Sequence, residues 1–184
     1  MLKPAEHRAP KRIRAFQVLS LEARTVLRLK SWEPRHVTGD AVMLAGQELP
    51  SKVGATLSGP PRILCTAPAE WLIVSQEPSA SVRRQIDGIL AAGLALVDLT
   101  DGLTVLEVSG PALRDVLAKG CGLNLHPRRF PPGACARTRF AQIPLVIDCI
   151  QEPNHFDLYV TRSYAQYLKD WLLDAAVEFN GAAQ

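Results

Sequence analysis

The 184-residue sequence has no apolar run as long as the roughly 18 residues that a membrane-spanning helix requires. Its N-terminus also has no apolar core of the signal-peptide type. Charged residues make up 21% and hydrophobic residues 47% of the chain, which are ordinary globular values. We therefore expect a cytoplasmic protein, not attached to a membrane, that is large enough to bury a substantial core.

Glycine-rich phosphate loops are also missing. Gly120 and Gly122 do not complete a GxGxxG pattern, and GxxxxGK[ST] does not occur. We therefore do not expect this chain to hold FAD or NAD itself. The predicted strand at 104–108 has no aromatic residue on which RNA bases could stack, which argues against a nucleic-acid partner.

The cysteines contain no CxxC pair. Cys121, His126, Cys135 and Cys149 have spacings that match no compact zinc site, so we interpret the thiols as reduced packing groups. Cys121 and His126 could form a nucleophilic pair. However, Cys121 follows a predicted helix C-terminus, where the helix dipole disfavours a thiolate. We assign no catalytic, cofactor-binding or metal-binding residue to this chain.

The net charge is +3, and basic residues cluster near the start of the chain. We divide the chain into a basic N-terminal arm, residues 1–22, and a single α+β domain, residues 23–184, with a long Gly/Pro-rich loop at 31–61. A basic arm can follow phosphates or an acidic lipid surface. We prefer a solvated terminus or a strap across a partner, which makes Arg12 and Arg14 candidates for a subunit interface.

Hydrophobic periodicity predicts the strands. Residues 23–30 alternate as a half-buried strand with Val26 and Arg28 on a basic outer face. Residues 94–100 are apolar on both faces and predict a central strand, which a hairpin turn at Asp101-Gly102 joins to a strand at 104–109.

Capping residues predict where the helices begin. Ser79 is placed to cap a helix at 79–92, and Ser109 or Gly110 to cap a helix with Pro111 in its first position. Ser163 and Gln166 form a capping box for a C-terminal helix. The order of elements predicts an α+β fold of split β-α-β (ferredoxin-like) units, with helices packed on an antiparallel sheet.

A stiff basic loop follows the second helix. We predict that its cations and aromatic tip contact a neighbouring subunit, because such residues suit an interface better than a core. The alternative is a rigid crossover packed on its own domain. The interface candidates in this loop are His126, Arg128, Arg129, Phe130 and Pro131.

Two carboxylates lie near the predicted hairpin. Asp98 and Asp101 could act as an acid and a base. We prefer the simpler interpretation, in which Asp101 forms the turn before Gly102 and Asp98 is hydrogen-bonded locally.

The second half of the chain carries a series of short motifs. They are Ser109-Gly110-Pro111, Lys119-Gly120-Cys121, Leu125-His126-Pro127-Arg128, Phe130-Pro131-Pro132-Gly133 and Cys135-Ala136. The C-terminal helix adds Arg162-Ser163-Tyr164-Ala165, Tyr167-Leu168 and Trp171-Leu172. Together these motifs resemble the gamma subunit of heterotetrameric sarcosine oxidase.

The resemblance implies a fold similar to the folate-binding domain of glycine-cleavage aminomethyltransferases. It further implies an accessory, non-catalytic subunit of a complex that oxidatively demethylates sarcosine to glycine and passes the one-carbon unit to tetrahydrofolate or releases it as formaldehyde. The implied partners are a large alpha chain with NAD and the folate site, a beta chain with FAD and FMN, and a delta chain with zinc.

Two alternatives remain open. The chain could be a stand-alone folate-binding aminomethyltransferase-like protein, although residues 142–149 lack the paired glycines of that family and retain a single acid, Asp148. The complex could also act on a related N-methyl amino acid, as N-methylglutamate dehydrogenase does, because substrate contacts are expected in another subunit.

Overall fold

The computed structural model describes residues 15–21, 24–32, 43–44, 47–86, 93–150 and 154–181. Most of its strands belong to two five-stranded sheets in which all neighbours are antiparallel. Sheet A has the order β1 (Gln17–Leu21), β9 (Leu103–Ser109), β12 (His155–Thr161), β11 (Ile143–Cys149) and β10 (Cys135–Phe140). Sheet B has the order β5 (Thr56–Leu57), β6 (Arg62–Ala67), β7 (Glu70–Ser75), β2 (Thr25–Ser31) and β8 (Leu94–Asp98).

The remaining elements are short or helical. A two-stranded ladder joins β3 (Met43–Leu44) to β4 (Gln47–Glu48). The helices are α1 (Ser79–Ile86), α2 (Leu113–Ala118), α3 (Ala165–Ala175) and α4 (Val177–Gly181), with a 3₁₀ turn at Arg162–Tyr164 before α3. None of the helices in the described ranges is long and apolar enough to cross a membrane.

The two sheets pack face to face, and helices cover their outer faces. Helices α2 and α3 lie on sheet A, where Phe156 and Leu158 pack against Leu117 and Leu168. Helix α1 lies on sheet B. Between the sheets, a third cluster joins Val26, Leu64, Leu72 and Val74 of sheet B to Val105, Cys135, Val146 and Tyr159 of sheet A. The result is a four-layer α/β/β/α sandwich with three apolar layers.

The predicted fold class is confirmed, including the split β-α-β unit. Strands β7 and β8 are joined through α1 and both pair antiparallel with β2, so they run parallel to each other with β2 between them. The expected basic outer face of the strand at 23–30 is present only toward its end, where Lys30 is exposed and Arg28 is half-buried. Strand β2 is central, and Val26 is buried because sheet A covers the face that was expected to be exposed.

The hairpin predicted at Asp101-Gly102 is also wrong, because β8 and β9 belong to different sheets. The chain crosses from sheet B to sheet A there, and the Leu99 amide donates to the Val26 carbonyl at 2.8 Å. Strand β8 is an edge strand rather than a central one. Leu94 and Leu96 of this strand pack in the cluster beneath α1, whereas Val97 is 41% exposed.

The predicted helix caps do not form. The Ser79 hydroxyl donates to Asp98 instead of a helix amide, and α2 begins at Leu113, after Ala112, without a side-chain cap. No side-chain cap precedes the 3₁₀ turn or α3, and Gln166 donates to Asp170 at 2.8 Å. These helices are therefore positioned by the burial of their apolar faces rather than by capping residues.

The proposed N-terminal arm is described from Ala15 onward. Its residues 17–21 form β1 at the edge of sheet A, paired with β9. Arg12 and Arg14 lie outside the described residues. Within the loop at 31–61, the described residues include the short strands β3, β4 and β5.

Gly110 allows the residues just before β1, Ala15 and Phe16, to approach the turn before α2. Its φ of +123° is unfavourable for other residues, and a Cβ atom there would meet the Ala15 carbonyl group, with its carbon 2.9 Å away. We expect Gly110→Ala to lower the free energy of unfolding by more than about 1 kcal/mol. A Cβ at Gly122 would have nothing within 4 Å, so Gly122→Ala is the matched control in urea unfolding. An equal effect of the two substitutions would contradict this explanation.

Candidate subunit-contact surface

The basic loop between α2 and β10 is held by backbone hydrogen bonds. The His126 carbonyl accepts from the amides of Arg129 at 2.8 Å and Phe130 at 2.9 Å. The His126 amide in turn donates to Asn124 Oδ1 at 3.0 Å. The loop therefore has a defined backbone, which limits the conformational entropy that a partner would have to remove on binding.

Phe130 does not form an aromatic tip. Its ring is 5% exposed and packs edge-to-face on Phe156, with ring centroids 5.9 Å apart. Arg114 secures the same region: its guanidinium donates to the Leu125 and Phe130 carbonyls and lies 4.9 Å from the centre of the Phe156 ring. The prediction that Phe130 presents a surface contact is therefore corrected, because its apolar ring is buried in the core.

The other candidates in this loop point toward solvent. His126, Arg128, Arg129 and Pro131 are all exposed. Alongside them runs an open groove of about 680 Å³, lined by the loop, by residues 52–55 with Thr66, and by the N-terminal half of β10. We call it the basic groove, because its charged lining residues are all cations: Lys52, Arg128, Arg129 and Arg137.

The residues proposed for thiol or metal chemistry have separate surroundings. Cys121 Sγ lies 3.6 Å from Thr138 Oγ1, whereas His126 is exposed and its Nδ1 accepts from the Arg128 amide at 3.2 Å. Cys135 Sγ lies 3.6 Å from the Cys65 carbonyl, and Cys149 Sγ lies 3.9 Å from Arg114. Burial raises the thiol pKa to about 12 for Cys135 and about 11 for Cys149.

We expect Cys135 and Cys149 to resist alkylation in the folded chain. Their raised pKa values keep them protonated at pH 8, and burial blocks access of the reagent. Iodoacetamide treatment followed by mass spectrometry should leave both unmodified in buffer and modify both in guanidinium chloride. Similar labelling rates under the two conditions would show that these thiols are not enclosed.

Asp148 is fully buried between the sheets. Its two carboxylate oxygens accept from Arg62 Nε at 2.6 Å and Nη2 at 2.7 Å, and the Tyr159 hydroxyl lies 3.5 Å away. Burial raises the pKa of Asp148, and the bonds from Arg62 oppose that rise. Arg62 also donates to Ser58 and Thr56, so its guanidinium is well satisfied. The single acid of residues 142–149 is therefore part of an internal ion pair.

A second ion pair joins the same two layers. Arg24, just before β2, donates to Asp157 Oδ2 of β12 at 2.6 Å. Burial raises the pKa of Asp157, and Arg24 opposes the rise. Neither arginine partner follows from the periodicity of the sequence. The available signal was an acid within each of the strands IPLVIDC and HFDLYVT, since an acid that is buried in the core of a sandwich needs a cationic partner.

The interpretation of the turn carboxylates is confirmed for Asp98. It accepts hydrogen bonds from the Ser79 hydroxyl and from the Thr100 amide at 3.0 Å, and these bonds lower its pKa. Asp101 is fully exposed at the turn. The two carboxylates therefore have structural surroundings rather than those of an acid–base pair.

These features define a class: an α+β chain of two stacked antiparallel sheets, in which buried acids form internal ion pairs and an ordered loop carries exposed cations. A glycine cleavage system aminomethyltransferase T from Bartonella henselae shares the fold, with a TM-score of 0.58 at 14% identity over 88% of this chain and 46% of that chain. Residues 35–178 match the family described as "Sarcosine oxidase, gamma subunit family". The chain belongs to the sarcosine oxidase gamma subunit family.

Similar proteins extend the match over nearly the whole chain. The sarcosine oxidase gamma subunit of Corynebacterium sp. (strain U-96) is 31% identical over 79% of this chain and 72% of that protein. The corresponding subunit of Arthrobacter sp. is 29% identical over 96% of this chain and 90% of that protein. A chain of heterotetrameric sarcosine oxidase from Corynebacterium sp. U-96 matches with a TM-score of 0.80 and 26% identity, over 91% of this chain and 86% of that chain.

Proposed function

We propose that this chain is the gamma subunit of a heterotetrameric, flavin-dependent sarcosine oxidase of the cytoplasm, and that its role there is accessory rather than catalytic. The observation that carries the proposal is the structural match, with a TM-score of 0.80, to a chain of a heterotetrameric sarcosine oxidase. In the complex, sarcosine is oxidised to glycine and the one-carbon unit is passed to tetrahydrofolate or released as formaldehyde.

The proposed partners are an alpha, a beta and a delta chain. These would carry the NAD, FAD, FMN, tetrahydrofolate and zinc of the complex, and the gamma chain would cover and hold a face of the large subunit. The basic groove supports this division of roles, because Arg128 and Arg129 are exposed on a backbone that is already ordered. A partner with an acidic surface would be attracted to such a face.

A stand-alone folate-binding transferase is not favoured by the position of Asp148. The carboxylate is fully buried and bidentate to Arg62, so binding folate through it would require this ion pair to break. Removal of one partner from a buried ion pair costs about 3–5 kcal/mol. The structure therefore supports an assembly role over an independent folate site.

Reconstitution tests the proposed function. The full chain should co-purify with the co-expressed large subunit, and omission of the chain should lower the yield or stability of the assembled oxidase. Calorimetry of the isolated chain with tetrahydrofolate should show no tight binding. Failure to associate with the other subunits would exclude the accessory role, whereas tight folate binding by the chain alone would favour the transferase.

A further inference from the structure

We propose that Glu107, His155 and Asp157 form a binding site for a divalent transition-metal ion of the zinc type. Glu107 lies on β9 directly opposite Asp157 on β12. His155 is two residues before Asp157, and side chains two apart on a strand point to the same face. The three side chains therefore meet on one face of sheet A, which is the face that Asp157 turns toward Arg24.

The ligand atoms are close enough to share one ion. One such atom from each of the three residues lies within 4.8 Å of the other two. His155 Nε2 and Glu107 Oε1 are 3.4 Å apart. Metal–ligand bonds of about 2.0–2.1 Å in a tetrahedral arrangement place neighbouring ligand atoms about 3.3 Å apart, so this pair already has the required spacing.

Two buried atoms in this group lack hydrogen-bond partners within the described part of the chain, His155 Nε2 and Asp157 Oδ1. Asp157 is 1% exposed, and Arg24 satisfies its other oxygen, Oδ2. A buried carboxylate oxygen without a partner is costly, and buried acids are normally paired or bound to a metal. Both atoms belong to the group that would hold the ion, where His155 Nε2 faces Glu107 Oε1, itself a proposed ligand.

The donor set indicates which ions fit. Zinc accepts imidazole nitrogen together with carboxylate oxygen, whereas calcium and magnesium prefer oxygen ligands throughout. The side chains of Glu107 and His155 are 23% and 30% exposed, so the group lies close to the surface, although His155 Nε2 and Asp157 Oδ1 are themselves buried. Sequence spacing did not indicate this site, because its ligands come from two strands that are distant in the chain.

Titration of the metal-free full chain with zinc chloride tests the proposal. Isothermal calorimetry should show one zinc ion bound per chain. The substitutions His155→Ala and Glu107→Gln should each weaken binding at least about tenfold, since loss of even an outer-shell partner has effects of that size. Both side chains are partly exposed, so their removal threatens folding less than a substitution at buried Asp157.

A control variant and an NMR measurement show whether zinc binds at His155. His126→Ala removes an exposed histidine outside the group and should leave the affinity unchanged. In NMR spectra of the unmodified chain, zinc should shift the imidazole resonances of one histidine, the one absent from His155→Ala. The proposal is overturned if the folded chain does not bind zinc, if His155→Ala binds with unchanged affinity, or if zinc shifts a different histidine.

Discussion

Replacement of Arg62 by methionine should lower the free energy of unfolding by about 3–5 kcal/mol at pH 7, the cost of leaving a buried charge without its partner. Asp148 is fully buried, and Arg62 donates to both of its oxygens. Methionine retains the apolar length of the side chain, so the substitution mainly removes the guanidinium. Urea unfolding of the full chain, followed by circular dichroism, measures the change.

Arg162→Met is the matched control. Arg162 is 62% exposed, and its nitrogen is 4.0 Å from Asp101, so its loss should change the free energy of unfolding by no more than about 0.5 kcal/mol. The double variant Arg62→Met/Asp148→Leu removes both charges and should recover much of the lost stability. A double variant as unstable as Arg62→Met would mean that the unpaired carboxylate is not the cause.

The loss of stability caused by Arg62→Met should depend on pH. Burial raises the pKa of Asp148 above its ordinary value of 3.8, and Arg62 opposes that rise, so removal of Arg62 should raise the folded-state pKa further. A carboxyl group with a raised folded-state pKa is protonated more readily in the folded chain. Its protonated form therefore favours folding at low pH, and this contribution is lost as the pH rises through the folded-state pKa.

The stability deficit of Arg62→Met should accordingly be smaller at pH 5 than at pH 7, where the carboxylate is charged and unpaired. Urea unfolding at both pH values checks this difference. An unchanged deficit would show that the loss of stability comes from packing rather than from an uncompensated charge.

The fold class could be predicted from sequence because it depends on periodicity. The C-terminal helix and the strand at 155–160 follow directly from the spacing of apolar residues, and both are present as α3 and β12. The assignment of strands to sheets could not be predicted in the same way. A turn signal such as Asp101-Gly102 shows that the chain reverses locally, but it does not show whether the next strand pairs with the previous one. Here the chain leaves sheet B for sheet A.

The candidate contact surface was predicted in part. The exposed cations of the loop follow from local composition, because Arg128 and Arg129 have no place in an apolar core. The position of Phe130 depends on Arg114 and Phe156, which lie elsewhere in the sequence. The ion pairs across the sheets were missed for the same reason. Sequence patterns identify groups that need a partner, whereas the fold determines which partner they meet.

The burial of Phe130 explains how the loop is attached to the rest of the domain. Its ring and the hydrogen bonds from Arg114 fix the loop to the body of the chain, so His126, Arg128 and Arg129 are displayed from a rigid base. Surface charges on such a base favour encounter and orientation with an acidic partner. The two alternatives for this loop, a subunit contact and a rigid crossover packed on its own domain, are therefore compatible. One side of the loop packs on the domain, and the other side is exposed and available for contact.

Charge reversal tests the exposed side. We expect Arg128→Glu/Arg129→Glu to raise the dissociation constant for the other subunits at least about tenfold, or 1.4 kcal/mol, because like charges brought together at an interface cost several kcal/mol. The midpoint of thermal unfolding should hardly change, since both side chains are exposed. Sedimentation with the co-expressed subunits measures assembly, and circular dichroism confirms folding.

Arg83→Glu/Arg84→Glu provides the matched control. These adjacent arginines lie on α1, the helix that covers sheet B, and the substitution introduces the same change in net charge away from the basic loop. Assembly of this variant should be almost unaffected, so the comparison separates a local contact from an effect of overall charge. Equal weakening by the two double substitutions would indicate long-range electrostatics alone. Normal assembly of Arg128→Glu/Arg129→Glu would show that the loop serves only to connect α2 to β10.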